Sequence, residues 1–300
     1  MSTIYLAANT NGIDAYIWPK AKTITESGIP LNRASAIGDE CIDIAMLSIN
    51  GLLAVGCPAN AQQEVKDAVL RAHGLVSGRE DYDGFREFMG YTREKATMSG
   101  LDIGEVVCFS DKDGVLCGKR DYSRGSEFAK LIRRSGEDYP LMRVITGSTV
   151  SQNRESGFME AYGLTPDNLR GNSAIAKDPY IVLCENGSVR INVLDHRDVI
   201  VSDRLDEEQV RLLTEDCRED VMVRMEQELF PEMNLNWEAE YMRQKDNIRG
   251  VYAVPKKTMV TFNVPQSLRT TEEGFKFRKK VLNILDEEIR RNGFATEIVT

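Results

Sequence analysis

Val106-Val107-Cys108-Phe109-Ser110-Asp111-Lys112-Asp113-Gly114-Val115 is a compact, β-branched apolar run that breaks into charge at its C-terminal end. It predicts a buried strand that delivers two carboxylates, two residues apart, to a polar turn. Open α/β sheets bind ligands in the crevice at such strand ends. A carboxylate there can attack phosphorus and form an aspartyl phosphate. A second one nearby can protonate the leaving oxygen and then activate water. Two anions beside a phosphate require a cation, which makes Mg²⁺ the expected cofactor. Alone, the run also fits a solvated acidic turn. A calcium loop, the other use of two such aspartates, needs Gly and Glu where this chain has Leu116 and Tyr122.

Three further segments extend this pattern. Ile37-Gly38-Asp39-Glu40-Cys41-Ile42-Asp43 also follows an apolar run. If its turn continues as helix, Asp39 and Asp43 share one face and could hold a hard cation, although acids also favour ordinary helix starts. Arg143-Val144-Ile145-Thr146-Gly147-Ser148-Thr149 ends a strand in hydroxyls and N–H groups before a helix, which suits a phosphate cradle or a plain N-cap. Trp18-Pro19-Lys20-Ala21-Lys22-Thr23 offers a lysine to neutralise charge in a transition state.

Around these segments, apolar runs alternate with helical periodicity. Gln62–Ala72, Ser126–Arg134 and Ser151–Tyr162 read as helices. Leu141–Ile145, Tyr180–Cys184 and Ser188–Val193 read as strands, the last two flanking an Asn186-Gly187 hairpin signal. Alternation of this kind predicts an α/β fold with a parallel sheet. The last third has fewer, longer elements: helices over Asp206–Phe230 and Thr271–Asn292, and strands over Thr258–Val264 and Phe294–Val299. They predict a separate α+β module.

A net charge of −9 argues against a nucleic-acid partner. The six cysteines form no C-x-x-C pair and read as free thiols in a reducing cytosol; two histidines make a zinc site improbable. The N-terminus lacks the basic region of a signal peptide, and no apolar stretch reaches the ~18 residues of a membrane span. A cytoplasmic protein without a membrane partner is expected. Nothing in the sequence identifies an oligomerisation patch.

Together the four motifs resemble the haloacid dehalogenase superfamily, in the branch with a large α/β cap of type IIB. The resemblance implies a Rossmann-like core over residues 18–196, a cap over 197–300 plus 1–17, and a linker over Gly74–Glu105. It makes Asp111 the nucleophile, Asp113 the general acid/base, and Lys20 the charge-stabilising lysine. Thr146 and Gly147 would bind the phosphoryl group. Mg²⁺ would be held by Asp111, the Asp113 carbonyl and Asp39, with Asp43 a direct or outer ligand. The stretch from Asn60-Ala61 to Glu64-Val65-Lys66 also fits the family pattern. The implied reaction is hydrolysis of a small phosphate monoester, a sugar phosphate being the first guess, with Arg243, Lys245, Arg249, Lys256 and Lys257 as candidates for a second anionic group. A phosphomutase on the same scaffold, or an idle binding protein, are the alternatives.

The chain departs from the family in order. The lysine and Gly-Asp motifs precede the two-aspartate motif, as if a ring had been cut within the cap, with residues 294–300 continuing into 1–17. Spacing leaves Lys22 as a rival to Lys20. Ser148 stands where many relatives have Arg, and Ile42 where many have Asn.

Overall fold

The computed structural model describes residues 3–9, 12–118, 121–201, 205–216, 252–263 and 272–299. They fall into two compact units, Trp18–Ser202 and Met1–Ile17 with Asp203–Thr300. The first unit runs six residues past the expected core boundary at residue 196. Asp198–Ile200 forms the edge strand of the first unit, paired antiparallel with Val189–Ile191.

The strands are β1 (Ile4–Asn9), β2 (Gly12–Tyr16), β3 (Ala34–Ile37), β4 (Ala54–Cys57), β5 (Leu75–Val76), β6 (Val107–Asp111), β7 (Leu141–Ile145), β8 (Tyr180–Cys184), β9 (Val189–Asn192), β10 (Asp198–Ile200), β11 (Tyr252–Pro255), β12 (Val260–Asn263) and β13 (Thr296–Val299). The helices used below are α1 (Lys20–Thr25), α2 (Ile44–Leu47), α3 (Gln63–Arg71), α4 (Asp81–Met98), α5 (Gly125–Arg133) and α6 (Val150–Glu155).

The Trp18–Ser202 unit is an α/β layer structure built on an eight-stranded sheet of order β10-β9-β8-β7-β6-β3-β4-β5. From β5 to β8 neighbouring strands are parallel; β9 and β10 are antiparallel to their neighbours. Strands covered on both faces lose the polar alternation, and β3, β4 and β6 are buried at every position. Side chains still alternate between two cores. Val107 and Phe109 join Ile24, Leu47 and Val65, whereas Cys108 joins Phe85, Phe128 and Tyr162. Cys57, Cys108, Cys117 and Cys184 are buried free thiols, and Cys41 is half-buried. Burial pushes the Cys108 thiol up to about 12, so it packs as a small apolar group.

Residues 74–105, expected to be a linker, carry the strand β5 and the 18-residue helix α4. Tyr82, Phe85, Phe88, Met89, Thr92 and Ala96 bury one face of that helix at three- and four-residue spacing. Two glycines inside α4 lower its intrinsic helical preference. Gly84 is explained by contact, since a Cβ there would collide with the carbonyl of Arg79. The helix expected over 151–162 is two pieces, α6 and Phe158–Ala161, parted by Gly157 at φ +74°. The Asn-Gly connection spans residues 185–188 between the paired Cys184 and Val189, with Glu185, Asn186 and Gly187 all at positive φ.

The second unit has a five-stranded sheet, β11-β12-β2-β1-β13. Its core gathers Ile4, Leu6, Ile13, Val260 and Phe262 with Phe277, Val281 and Leu285 of the helix Glu272–Arg291. β1 runs parallel to β13, pairing Ile4 with Thr296. Both ends of the chain therefore lie in one sheet, but 296–299 does not turn back into 4–9 as a hairpin. Of the helix expected over 206–230, residues 207–216 are helical, and 217–230 lie outside the described residues. Among the described residues no helix is long and apolar enough to cross a membrane.

Candidate functional site

Three parallel strands, β3, β6 and β7, end side by side. Ile37 pairs with Ser110, and Asp111 with Ile145. The residues immediately past these pairs, Gly38-Asp39 on one side and Thr146 on the other, therefore flank Asp111 at the C-terminal edge of the sheet. This is where open α/β sheets expose backbone and side-chain groups to a ligand.

Asp39, Asp43 and Asp111 converge there, each offering an oxygen within 4.8 Å of the others, and all are buried. The expected shared helix face is not what unites Asp39 and Asp43. Asp39 precedes the helical turn Cys41–Asp43, and Asp43 folds back over the strand end, where its Oδ2 accepts the N–H groups of Asp39 (3.0 Å) and Glu40 (3.2 Å). Gly38 permits this, because a Cβ at that position would press on the Asp43 side chain. Gln62 fixes the same loop by donating its N–H to the Asp39 carbonyl and accepting that of Cys41.

Lys20 supplies the cation. Its Nζ lies 2.6 Å from Asp43 Oδ1 and 2.5 Å from Asp111 Oδ1, and it is 3% exposed. α1 is anchored through Trp18, whose Nε1 donates to Thr23 Oγ1, and through Thr23, which donates to the carbonyl of Asn186. Lys22 is the wrong lysine for the cluster: it sits over the Trp18 ring at 4.4 Å and near Glu26 at 3.8 Å.

One buried ammonium among three buried carboxylates leaves negative charge in excess. Burial raises the Asp39 carboxyl well above its ordinary range, reinforced by Asp111, Glu40 and Asp43 and opposed by Lys20. Burial likewise pushes Asp111 up, against the pull of Lys20. Burial on its own would lower Lys20, but Asp111 and Asp43 outweigh it and hold the ammonium charged. Among the described residues Asp39 Oδ1 is buried with no hydrogen-bond partner. Asp43 spends one oxygen on Lys20 and the other on two backbone N–H groups. Asp39 and Asp111 are thus the carboxylates best placed to hold a hard cation, with Asp43 bracing them.

Thr146 is buried directly after β7. Its N–H donates to the Leu183 carbonyl, and its Oγ1 accepts the N–H of Ser148. Gly147 is half-buried in the same loop. Asp113 stands outside the acidic cluster, with its side chain 55% exposed. Gly114, at φ +80°, lies so close to Asp39 that a Cβ would strike Asp39 Oδ2. Asn60 closes that contact by donating to the Gly114 carbonyl while accepting the N–H of Asp81.

Two residues at this edge were not singled out from the sequence. Lys112 is buried and bonded to Ser148 and Asn153. Asn186, read only as a turn residue, is fully buried between α1 and the Thr146 loop, and among the described residues neither polar atom of its side-chain amide has a hydrogen-bond partner. Of the basic residues expected to meet a second anionic group, Arg243, Lys245 and Arg249 lie outside the described residues, and Lys256 faces Asp14 at 4.0 Å. No protein-family model, curated protein or solved structure matches the chain.

Proposed function

We propose that this chain is a Mg²⁺-dependent phosphatase that hydrolyses small phosphate monoesters through an aspartyl phosphate on Asp111. The observation that carries the reading is the buried Lys20–Asp111 pair at the end of the central strand, with Asp39 against it and Thr146 one strand away. A nucleophilic carboxylate must be ionised, and burial works against that; Lys20 opposes the effect at 2.5 Å. Asp39 and Asp111 suit Mg²⁺ because both present hard oxygens and Asp39 Oδ1 lacks any other partner. When bound, the ion would neutralise the substrate's phosphate charge and fix its orientation.

The residues then divide the work. An Asp111 oxygen attacks phosphorus in line as the bond to the alcohol oxygen breaks. Asp113, exposed and two residues on, gives its proton to that oxygen. Thr146 and the Gly147 backbone receive the phosphoryl oxygens, and Lys20 offsets the charge that builds in the transition state. Water, deprotonated by Asp113, then attacks phosphorus and cleaves the acyl phosphate. This restores Asp111 and frees inorganic phosphate. The family resemblance makes sugar phosphates the class to try first.

The test is phosphate release from p-nitrophenyl phosphate and a panel of sugar phosphates, with Mg²⁺ and with EDTA. Release that requires Mg²⁺ is the expected result. Absence of release from every substrate, by a folded protein that still binds Mg²⁺, would sink it. An isomerised sugar phosphate without free phosphate would instead identify a mutase.

The charge excess has its own signature. A carboxyl raised by folding binds more protons folded than unfolded, so stability falls as pH rises, from the ordinary value near 3.8 through about 8 for Asp111. Lys20 stays protonated across that window and adds no slope. Protein in EDTA is expected to lose thermal stability over this interval, and Mg²⁺ is expected to flatten the slope. A melting temperature independent of pH in EDTA would contradict the charge assignment.

A further inference from the structure

Lys112 lies between the two aspartates of the proposed reaction, and its ammonium bonds to groups other than the Lys20 cluster. Its side chain is 6% exposed, an unusual burial for a lysine and one that costs free energy unless the ammonium is well paired. An ammonium has three donors. Here Nζ meets Asn153 Oδ1 at 3.1 Å, Ser148 Oγ at 3.2 Å and Asp113 Oδ2 at 3.3 Å, with the Phe158 ring 5.3 Å away. Two hydrogen bonds and one ion pair hold the ammonium, so the group is a clamp between Asn153, Ser148 and Asp113.

The clamp has a buried end and an exposed end. Asn153 is fully buried in α6, where its Nδ2 also donates to the Thr149 carbonyl and to Cys184 Sγ. Ser148 belongs to the loop that carries Thr146. Asp113 is the exposed partner, its side chain 55% accessible on a turn closed by Gly114, where its Oδ1 also accepts from Cys117 Sγ at 3.8 Å. A solvated carboxylate samples several rotamers, and an acid must sit within hydrogen-bond reach of the atom it protonates.

We propose that Lys112 is a positioning residue: it ties Asp113 to the Thr146 loop and so aims the general acid at the leaving oxygen. The proposal rests on the reading of Asp113 as that acid. The bond that breaks is phosphorus to alcohol oxygen, and the proton moves from Asp113 to that oxygen. An alkoxide leaves poorly without the proton. A p-nitrophenolate leaves readily without it. Misaiming Asp113 therefore penalises alkyl phosphates selectively, whereas a merely structural lysine would affect both classes alike.

The experiment compares kcat/KM for the best sugar phosphate of the panel and for p-nitrophenyl phosphate, in wild type, Lys112→Met, Lys112→Arg and Asp113→Asn. This parameter reads only through departure of the alcohol, so the shared hydrolysis of the acyl phosphate does not enter. Lys112→Met is expected to lower the alkyl-to-aryl ratio about 10- to 100-fold, the size of a ~1 Å misplacement of a reacting group. Asp113→Asn should move it in the same sense and further, and Lys112→Arg should recover part of it. Ser148→Ala keeps the charge, removes one support, and should give a smaller change of the same sign even if Lys112→Met folds poorly. An equal fall on both substrates, or an unchanged ratio in both Lys112→Met and Ser148→Ala, overturns the proposal. A wild type that releases phosphate from no alkyl ester removes the parent reading and this one with it, and is recognised before any variant is made.

Discussion

Asp111→Asn is expected to abolish Mg²⁺-dependent phosphate release, by on the order of 10⁴-fold or more, the scale of losing a covalent nucleophile. The same change should leave the fold intact. Asp111 is one of three buried carboxylates around a single ammonium, and Lys20 keeps its 2.6 Å pair with Asp43 when Asp111 is neutralised. Removing a carboxylate from a site with excess negative charge relieves repulsion on Asp39. The melting temperature in EDTA should therefore hold or rise. Activity and stability moving in opposite directions is the pattern of a site held for chemistry at a cost to folding. If the variant melted well below wild type while keeping its specific activity, Asp111 would be a structural anchor and the nucleophile assignment would fail.

Lys20→Met should damage both properties. Among the described residues the ammonium is the one cation bonded to Asp43 and Asp111, and breaking a buried pair from one side strands the charges that remain. A loss of roughly 3–5 kcal/mol is expected near neutral pH, or on the order of 10 °C in a unit of this size. The sign with pH follows from the carboxyls. Without Lys20 they rise further and bind protons in the folded state that the unfolded chain does not hold. The variant should be closest to wild type in acid and fall away as pH increases. Mg²⁺ at about 100 times its dissociation constant should return about 2.7 kcal/mol. Turnover should remain about 10²- to 10³-fold down even with the metal restored, because the transition-state charge has lost its partner. Lys22→Met, removing a half-buried lysine beside Trp18 and Glu26, is the matched control.

The strand ends were legible because their signal is local. An apolar run followed by Asp111-Lys112-Asp113, or by Gly38-Asp39, announces a buried strand and its polar exit within ten residues. That Asp39 and Asp111 would meet is a matter of parallel register, which no periodicity encodes; it came from the likeness of the motifs to a known arrangement. Lys20 and Lys22 could not be separated by spacing, and the packing of Trp18 and Thr23 decides between them. α4 was missed although its apolar spacing was present, because two glycines and the charged residues between the aromatic positions weakened the pattern. Gly84 is an exception forced by its neighbours, and helical preference alone could not foresee it. Lys112 and Asn186 were passed over for a different reason. Lysines are usually solvated and Asn-Gly usually marks a turn, and only three-dimensional burial makes either one conspicuous.

The parallel pairing of β1 with β13 also bears on how the molecule is made. Ile4 has its sheet partner at Thr296, so the second unit is assembled from segments that leave the ribosome almost the whole of this sequence apart. At about 5–20 residues per second, the N-terminal strand waits roughly 15–60 s for its neighbour. During that interval Trp18–Ser202, contiguous in sequence, is already synthesised and has every strand of its own sheet. The residues of the candidate site can therefore be in place while β1 and β2 still lack their partners β13 and β12.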